Sequence, residues 1–302
     1  MVDCPIPATV LDPSQALLVG VGGRPGSGRR TVTRALRGAG LAVAGPGESA
    51  DVEVYVFVET VNADDRAALA SALRPTVAVL NKADLAGFRG DGPIEVATRR
   101  CRELERATAV PTRPLSALLA VAGTDPTVLD RALVDALRIL ATAPEAVPDA
   151  ARRRLGAELD LFGTACAVSA VRSGARRDDL AALLRTVSGL AELSAEIERT
   201  AAPVRYRRLT AGLAAMAARD SRVLTGDDVV LARMAAAAAV VGAAGVPDRS
   251  EATRSDQLRR AIHWQRYAVG PVSALHRACA TDIARGALRL WARADDAPAA
   301  RR

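Results

Sequence analysis

The segment Thr76-Val77-Ala78-Val79-Leu80-Asn81-Lys82-Ala83-Asp84 joins an uninterrupted apolar run to four residues of another kind. A short aliphatic, β-branched run without polar alternation is the pattern of a strand buried on both faces, as in a parallel sheet covered by helices. The tetrad that follows, N-K-x-D, has the chemistry that guanine recognition needs. A carboxylate at Asp84 accepts two hydrogen bonds from the N1–H and 2-amino group of the base, a pair of donors that adenine does not offer in that arrangement. The Asn81 amide suits the other edge of the base, and the Lys82 stem suits its face. Scarcity singles the tetrad out: Lys82 is the only lysine among 41 basic residues, and Asn81 is one of two asparagines. It falls at the C-terminal tip of the strand, where ligands bind in open α/β sheets. The same residues also suit an ordinary strand-to-helix turn, with Asn and Asp as turn formers.

Upstream, Leu17-Leu18-Val19-Gly20-Val21 leads into Gly23-Arg24-Pro25-Gly26-Ser27-Gly28-Arg29-Arg30-Thr31 and then a helical segment. A strand, a glycine-rich turn and a helix N-terminus aim backbone N–H groups at a phosphate. Against the pattern G-x-x-x-x-G-K-S/T, Gly23 and Gly28 fit and Gly26 and Ser27 lie in the loop. Arg29 takes the Lys position, Arg30 takes the Ser/Thr position, and Thr31 falls one residue late. The planar guanidinium replaces a compact point charge, which alters the phosphate contact. Loss of the hydroxyl removes the usual protein ligand for Mg²⁺ and puts Mg²⁺ dependence in question. No D-x-x-G separates Thr31 from Asn81, so the segments that sense a terminal phosphate are not recognisable. Glu59 follows the run Val52 to Val58 as a remnant acidic group near a metal or as a solvated strand end. No catalytic residue and no metal ligand is assigned. Downstream, Ser116-Ala117 ends a weaker strand and stands where backbone support for the base is expected.

The runs Ala16 to Val21, Leu41 to Ala44, Val52 to Val58, Thr76 to Leu80 and Val110 to Leu115 read as strands. Helix candidates lie between them at Thr31 to Arg37, Asp64 to Leu73 and Ile94 to Ala107. From Asp125 the periodicity is helical, with Asp125 as N-cap, Pro126 at the first helical position and a stripe of Leu129, Leu133, Leu137 and Leu140. A Pro-containing break at 143–149 precedes further Ala/Leu/Arg helices, the last at Ser255 to Tyr267 and Val272 to Trp291. The expected architecture is α/β: an abbreviated parallel-sheet domain of the P-loop GTPase type over 1–124, then an all-α helical bundle over 125–302.

Composition limits the remaining possibilities. The net charge is +7, but the arginines are scattered beside Asp and Glu, and aromatics are only 3% of the chain, so a nucleic-acid partner is not expected. The four cysteines are widely spaced and form no C-x-x-C, which fits reduced thiols in a cytoplasmic protein. No signal peptide is read at the N-terminus, and the run Met234 to Val246 is too short and Ala-rich to span a bilayer, so it reads as a buried helix.

The order P-loop, N-K-x-D, S-A is similar to the G domain of translation-factor and Ras-related GTPases, and the later segments narrow the likeness. Ser116 to Ala122, Leu161 to Ala165 and Thr186 to Leu193, followed by the basic helix Arg205 to Met216, resemble the region after the G domain in actinobacterial dynamin-like GTPases. The resemblance covers residues 16–220. It implies GTP or GDP as ligand, with Gly23 to Thr31 at the phosphates, Asn81, Lys82 and Asp84 at guanine, and Ser116 and Ala117 supporting the base. It further implies a cytoplasmic protein that associates with itself or with a related full-length GTPase, with peripheral contact at the inner face of the membrane left open. The departures at Arg29 and Arg30 point to a guanine-nucleotide-binding regulatory or partner subunit with impaired or no hydrolysis. Two alternatives stand beside it: a scaffold with a relic domain that binds nothing, and a GTPase completed by its partner.

Overall fold

In the computed structural model, which describes residues 17–45, 47–87, 92–218, 226–248 and 253–296, the apolar runs are strands of one sheet. They are β1 (Leu18–Gly23), β2 (Ala42–Val43), β3 (Val52–Val58), β4 (Thr76–Asn81) and β5 (Thr112–Leu115). All neighbours are parallel, in the order β2-β1-β3-β4-β5. Every residue of β4 is buried, as its unbroken apolar sequence requires. The register sets Gly23 beside Val56, Val58 beside Asn81 and Asn81 beside Leu115, so the C-terminal strand ends share one edge. Gly23 has a φ of +127°, and a Cβ there would sit 2.1 Å from the Val56 carbonyl oxygen, so only glycine fits this strand end. Ala16, the first residue of the expected β1 run, lies outside the described residues.

Helices cover both faces. On one, α1 (Arg29–Gly38) buries Val32, Ala35 and Leu36 and packs against α4 (Ala117–Thr124). On the other, α2 (Ala63–Ala70) and α3 (Pro93–Thr108) place Leu69, Ala97 and Cys101 against Phe57, Ala78 and Leu80. The helices α5 (Arg131–Thr142), α6 (Asp149–Glu158), α7 (Asp160–Arg172) and α8 (Arg177–Val187) follow, and α9 (Leu190–Ala217) begins there. The helix expected at Asp125 starts later: Asp130 caps α5 by accepting from the Leu133 amide at 2.9 Å. Asp125 closes a turn instead, accepting from the amide and hydroxyl of Thr127 at 2.9 and 2.6 Å.

The chain divides into two compact units at 198/199. The expected division at 125 falls just after α4, while the last strand ends at Leu115. Three of the later segments pack back on the sheet domain: a Cβ on Gly163 of α7 would meet Leu119 of α4 at 2.1 Å, α8 packs on α4, and the Ser116 amide donates to the Ser188 carbonyl at 2.9 Å.

The second unit contains the rest of α9 with α10 (Asp227–Ala243), α11 (Arg254–Ala268) and α12 (Ala274–Asp296). Its core gathers Tyr206, Val240, Val241, Trp264, Cys279 and Ile283. The run from Met234 lies largely in α10 and buries Ala237, Val240 and Val241, as expected of a core helix. Buried Asp282 accepts from Tyr206 Oη at 2.8 Å and Arg233 Nε at 3.0 Å, which satisfies the charge inside the core. Among the described residues, no helix is long and apolar enough to cross a membrane. Cys101, Cys166 and Cys279 are free thiols; burial pushes Cys101 up to about 12 and Cys279 up to about 11, which leaves both unreactive. Cys4 lies outside the described residues.

Candidate nucleotide site

The glycine-rich segment is one continuous strand, turn and helix. β1 ends at Gly23, the turn runs from Arg24 to Gly28, and α1 begins at Arg29. Gly26 and Gly28 have φ of +81° and +89°, values that glycine adopts without steric cost. Gly28 is the N-cap and has no side chain to bond the first amides of α1, and the first turn contains no acidic residue. The first amides of α1 thus have no intrahelical acceptor and no side-chain cap at the positive end of a ten-residue helix, a setting complementary to an anion. Ser27 is buried, and its hydroxyl turns inward to the Arg24 carbonyl at 2.8 Å. Arg29 and Arg30 are exposed and Thr31 is half-buried.

The turn is anchored at both ends. On the β3 side, Arg24 Nε lies 3.0 Å from Asp65 Oδ1, and its guanidinium donates to the Thr60 carbonyl at 3.3 Å. Asp65 is fully buried and accepts from the Asn62 amide and from Tyr55 Oη, both at 2.9 Å. Asn62 returns the bond through Oδ1 to the Asp65 amide at 2.8 Å, closing a capping box at the start of α2. Burial, with the Asp65 carboxylate next in importance, pushes the Tyr55 phenol up to about 12. None of these three residues was assigned to the site from sequence. The available signal was Asn62-x-x-Asp65, which contains the other of the two asparagines.

The opposite anchor is Asn81. It is 3% exposed, its Nδ2 donates to the Ser27 carbonyl at 2.9 Å, and its Oδ1 accepts from the Ala117 amide at 3.2 Å. One side chain thus ties the glycine-rich turn to the Ser116-Ala117 corner. Gly28 makes room for it, since a Cβ there would sit 2.4 Å from Asn81 Nδ2. Lys82 follows in the left-handed region with φ of +58° and an exposed side chain. Asp84 sits in a 3-10 turn, Ala83–Leu85, and is buried with Ser116 beside it. Burial pushes its carboxyl above the usual carboxylate range; the Ser116 hydroxyl opposes this, and Asp160 adds to it.

The residues do not fit a Mg²⁺ ion. The position expected to supply a hydroxyl is the exposed Arg30, and Glu59 is an exposed residue with φ of +61° at the end of β3. Among the described residues, no group of three or more His, Cys, Asp or Glu side chains is placed to hold a metal. Comparison of the chain with protein-family models, with curated proteins and with solved structures gives no match in any of the three.

Proposed function

We propose that the first unit binds a guanine nucleotide at the C-terminal edge of its sheet and hydrolyses it poorly or not at all. The reading assigns the phosphates to the N–H groups from Gly26 to Thr31 with Arg29 and Arg30 alongside, the base edge to Asp84, its face to Lys82 and its support to Ser116 and Ala117. The observation that carries it is the pair of hydrogen bonds that Asn81 makes, one donated to the Ser27 carbonyl and one accepted from the Ala117 amide. A residue picked out for guanine recognition sits between the turn suited to phosphate and the corner suited to the base. The arginines at 29 and 30 support binding without Mg²⁺-assisted turnover. The order of segments supports kinship with the dynamin-like GTPases. On that reading the chain is a regulatory or partner subunit that assembles with itself or with a full-length GTPase, and exposed Leu258 and Ile262 on α11, with Val269 just beyond its end, offer it an apolar contact surface.

Equilibrium binding of fluorescent GDP and ADP tests the proposal. The wild type is expected to prefer GDP, and Asp84→Ala to lose that preference by about a thousandfold or more, as a site built on buried hydrogen bonds does. Equal affinity for GDP and ADP in the wild type contradicts it. One observation favours the rival reading of a relic that binds nothing: Asp84 is only 3% exposed.

A further inference from the structure

The two compact units differ in charge. Residues 16–198 carry 23 basic and 23 acidic residues, whereas residues 199–302 carry 18 arginines and nine acidic residues, so the positive charge of the chain lies in the second unit. That unit also exposes an apolar stripe. Leu258, Ile262 and Gln265 of α11, with Val269 just beyond its end, follow the spacing of one helix face, and Val269 is 86% exposed. Beside the stripe lies a trough of about 1040 Å³, where Gln265, Ala268 and Val269 face Thr281, Leu288 and Ala292 of α12. Its floor is apolar, formed by buried Val230 of α10 and buried Ala284 of α12. From Thr281 to Ala292 the trough follows α12 for about 16 Å, roughly three helical turns. Its rim is basic: Arg285 and Arg289 line it, and Arg266 and Arg293 stand exposed next to its lining residues. Asp227, which pairs with Arg289 and Arg293, and exposed Asp228 offset only half of these four charges.

We propose that this trough docks one amphipathic helix of another protein, its apolar face seated over Val230, Ala284 and Leu288 and its acidic flanks meeting Arg266 and Arg285. The inference rests on the partner-subunit reading above and stands apart from nucleotide binding. Shape and charge both select this occupant. Three turns of concave apolar surface between helices take a helix laid along them, whereas a bilayer is flat. A second copy presenting the same face would bring arginine against arginine, which opposes a symmetric dimer, and an acidic helix reverses that term. The walls of the trough are braced in advance: the Arg254 guanidinium at the start of α11 stacks 4.7 Å from the centre of the Trp291 ring on α12. A preformed groove spares the partner part of the cost of ordering it.

The test is selection on the immobilised full chain of phage-displayed helical peptides, about four turns long, with the positions flanking an Ala/Leu face randomised. Enriched peptides should carry Asp or Glu at those positions, and a labelled synthetic copy should bind in fluorescence anisotropy. Leu288→Asp and Arg285→Glu change exposed side chains, so both variants should fold with an unchanged circular dichroism spectrum. Leu288→Asp should weaken the selected peptide by about tenfold or more. Arg285→Glu should weaken it by about three- to tenfold and strengthen a copy with Lys in place of its acidic residues. No enrichment over the blank support, enrichment of neutral or basic flanks, or equal affinity for wild type and Leu288→Asp overturns the proposal. Either competing occupant overturns it too. Sedimentation with phosphatidylserine/phosphatidylcholine vesicles that Leu288→Asp abolishes assigns the face to a membrane, and a dimer in sedimentation velocity that the same variant dissociates assigns it to a second copy. GDP titration of the same proteins reports the guanine reading separately: Leu288→Asp should leave GDP affinity unchanged, so either reading can fail without the other.

Discussion

The base corner and the phosphate corner of the site are built on different terms. At the base corner all but the exposed Lys82 also hold the fold together: Asn81 bonds both the Ser27 carbonyl and the Ala117 amide, and Asp84 and Ser116 are buried. At the phosphate corner the backbone is shaped by Gly23, Gly26 and Gly28, while the side chains that would act on a phosphate, Arg29 and Arg30, stand in solvent. Residues with a packing role resist replacement whether or not a ligand is bound, because changing them leaves buried polar groups unpaired. Exposed residues are held only by what they do. By that measure Asn81 and Asp84 are constrained by packing, while Lys82, Arg29 and Arg30 are not.

The largest effect that this contrast predicts is at Asp65, the hidden anchor of the phosphate corner. Asp65→Ala leaves the Arg24 guanidinium, the Tyr55 hydroxyl and the Asn62 amide without their shared carboxylate. A loss of about 3–5 kcal/mol is expected, because several donors lose one buried acceptor at once, and urea unfolding of the nucleotide-free protein measures it. Next is Asn81→Ala, which strands one buried carbonyl and one buried amide and should cost about 2–4 kcal/mol, again without nucleotide. A variant with unchanged stability would remove Asn81 from the framework and leave it only a ligand role.

Arg29→Lys combined with Arg30→Thr probes the other half of the contrast. Both positions are exposed, so stability should move by no more than about 0.5 kcal/mol. GTP affinity, measured by titration with and without Mg²⁺, should gain a dependence on the ion that the wild type lacks. The smallest effect is expected at Asp125, where Thr127 and Arg34 hold the carboxyl down to about 2. Its folded value is depressed, so its contribution is present above the unfolded-chain value near 4 and is lost as pH falls through about 2. The Arg34 pair is partly exposed, so Asp125→Asn should cost well under about 1 kcal/mol at neutral pH.

The strands were legible because each is a short apolar run bounded by turn residues, and β4 was the clearest since nothing interrupts it. Asn81 and Lys82 stood out by scarcity. Asp65 was not legible because an acidic residue in the first turn of a helix normally reads as a solvated cap, whereas here Tyr55 and Arg24 enclose it. Asp125 with Pro126 outweighed Asp130 as a helix start on sequence grounds, but Thr127 folds Asp125 into a turn of its own. The change from an α/β to an all-helical pattern was legible, placed some ten residues late because the helix Ala117–Thr124 already follows β5, while the compact division at 198/199 was not legible. The latter depends on contacts such as Gly163 against Leu119 and Ser116 to Ser188, which join residues distant in sequence.

On the proposed reading the first unit binds guanine nucleotides through Asn81, Lys82 and Asp84 and does so without Mg²⁺. Thermal unfolding of the full chain with GDP, GTP and ATP, each with and without Mg²⁺, tests it. A rise of about 5–10 °C with GDP or GTP at roughly a hundredfold excess over Kd, unchanged by Mg²⁺ and absent with ATP, is the expected result. Equal shifts with ATP, or no shift with any nucleotide, would contradict it.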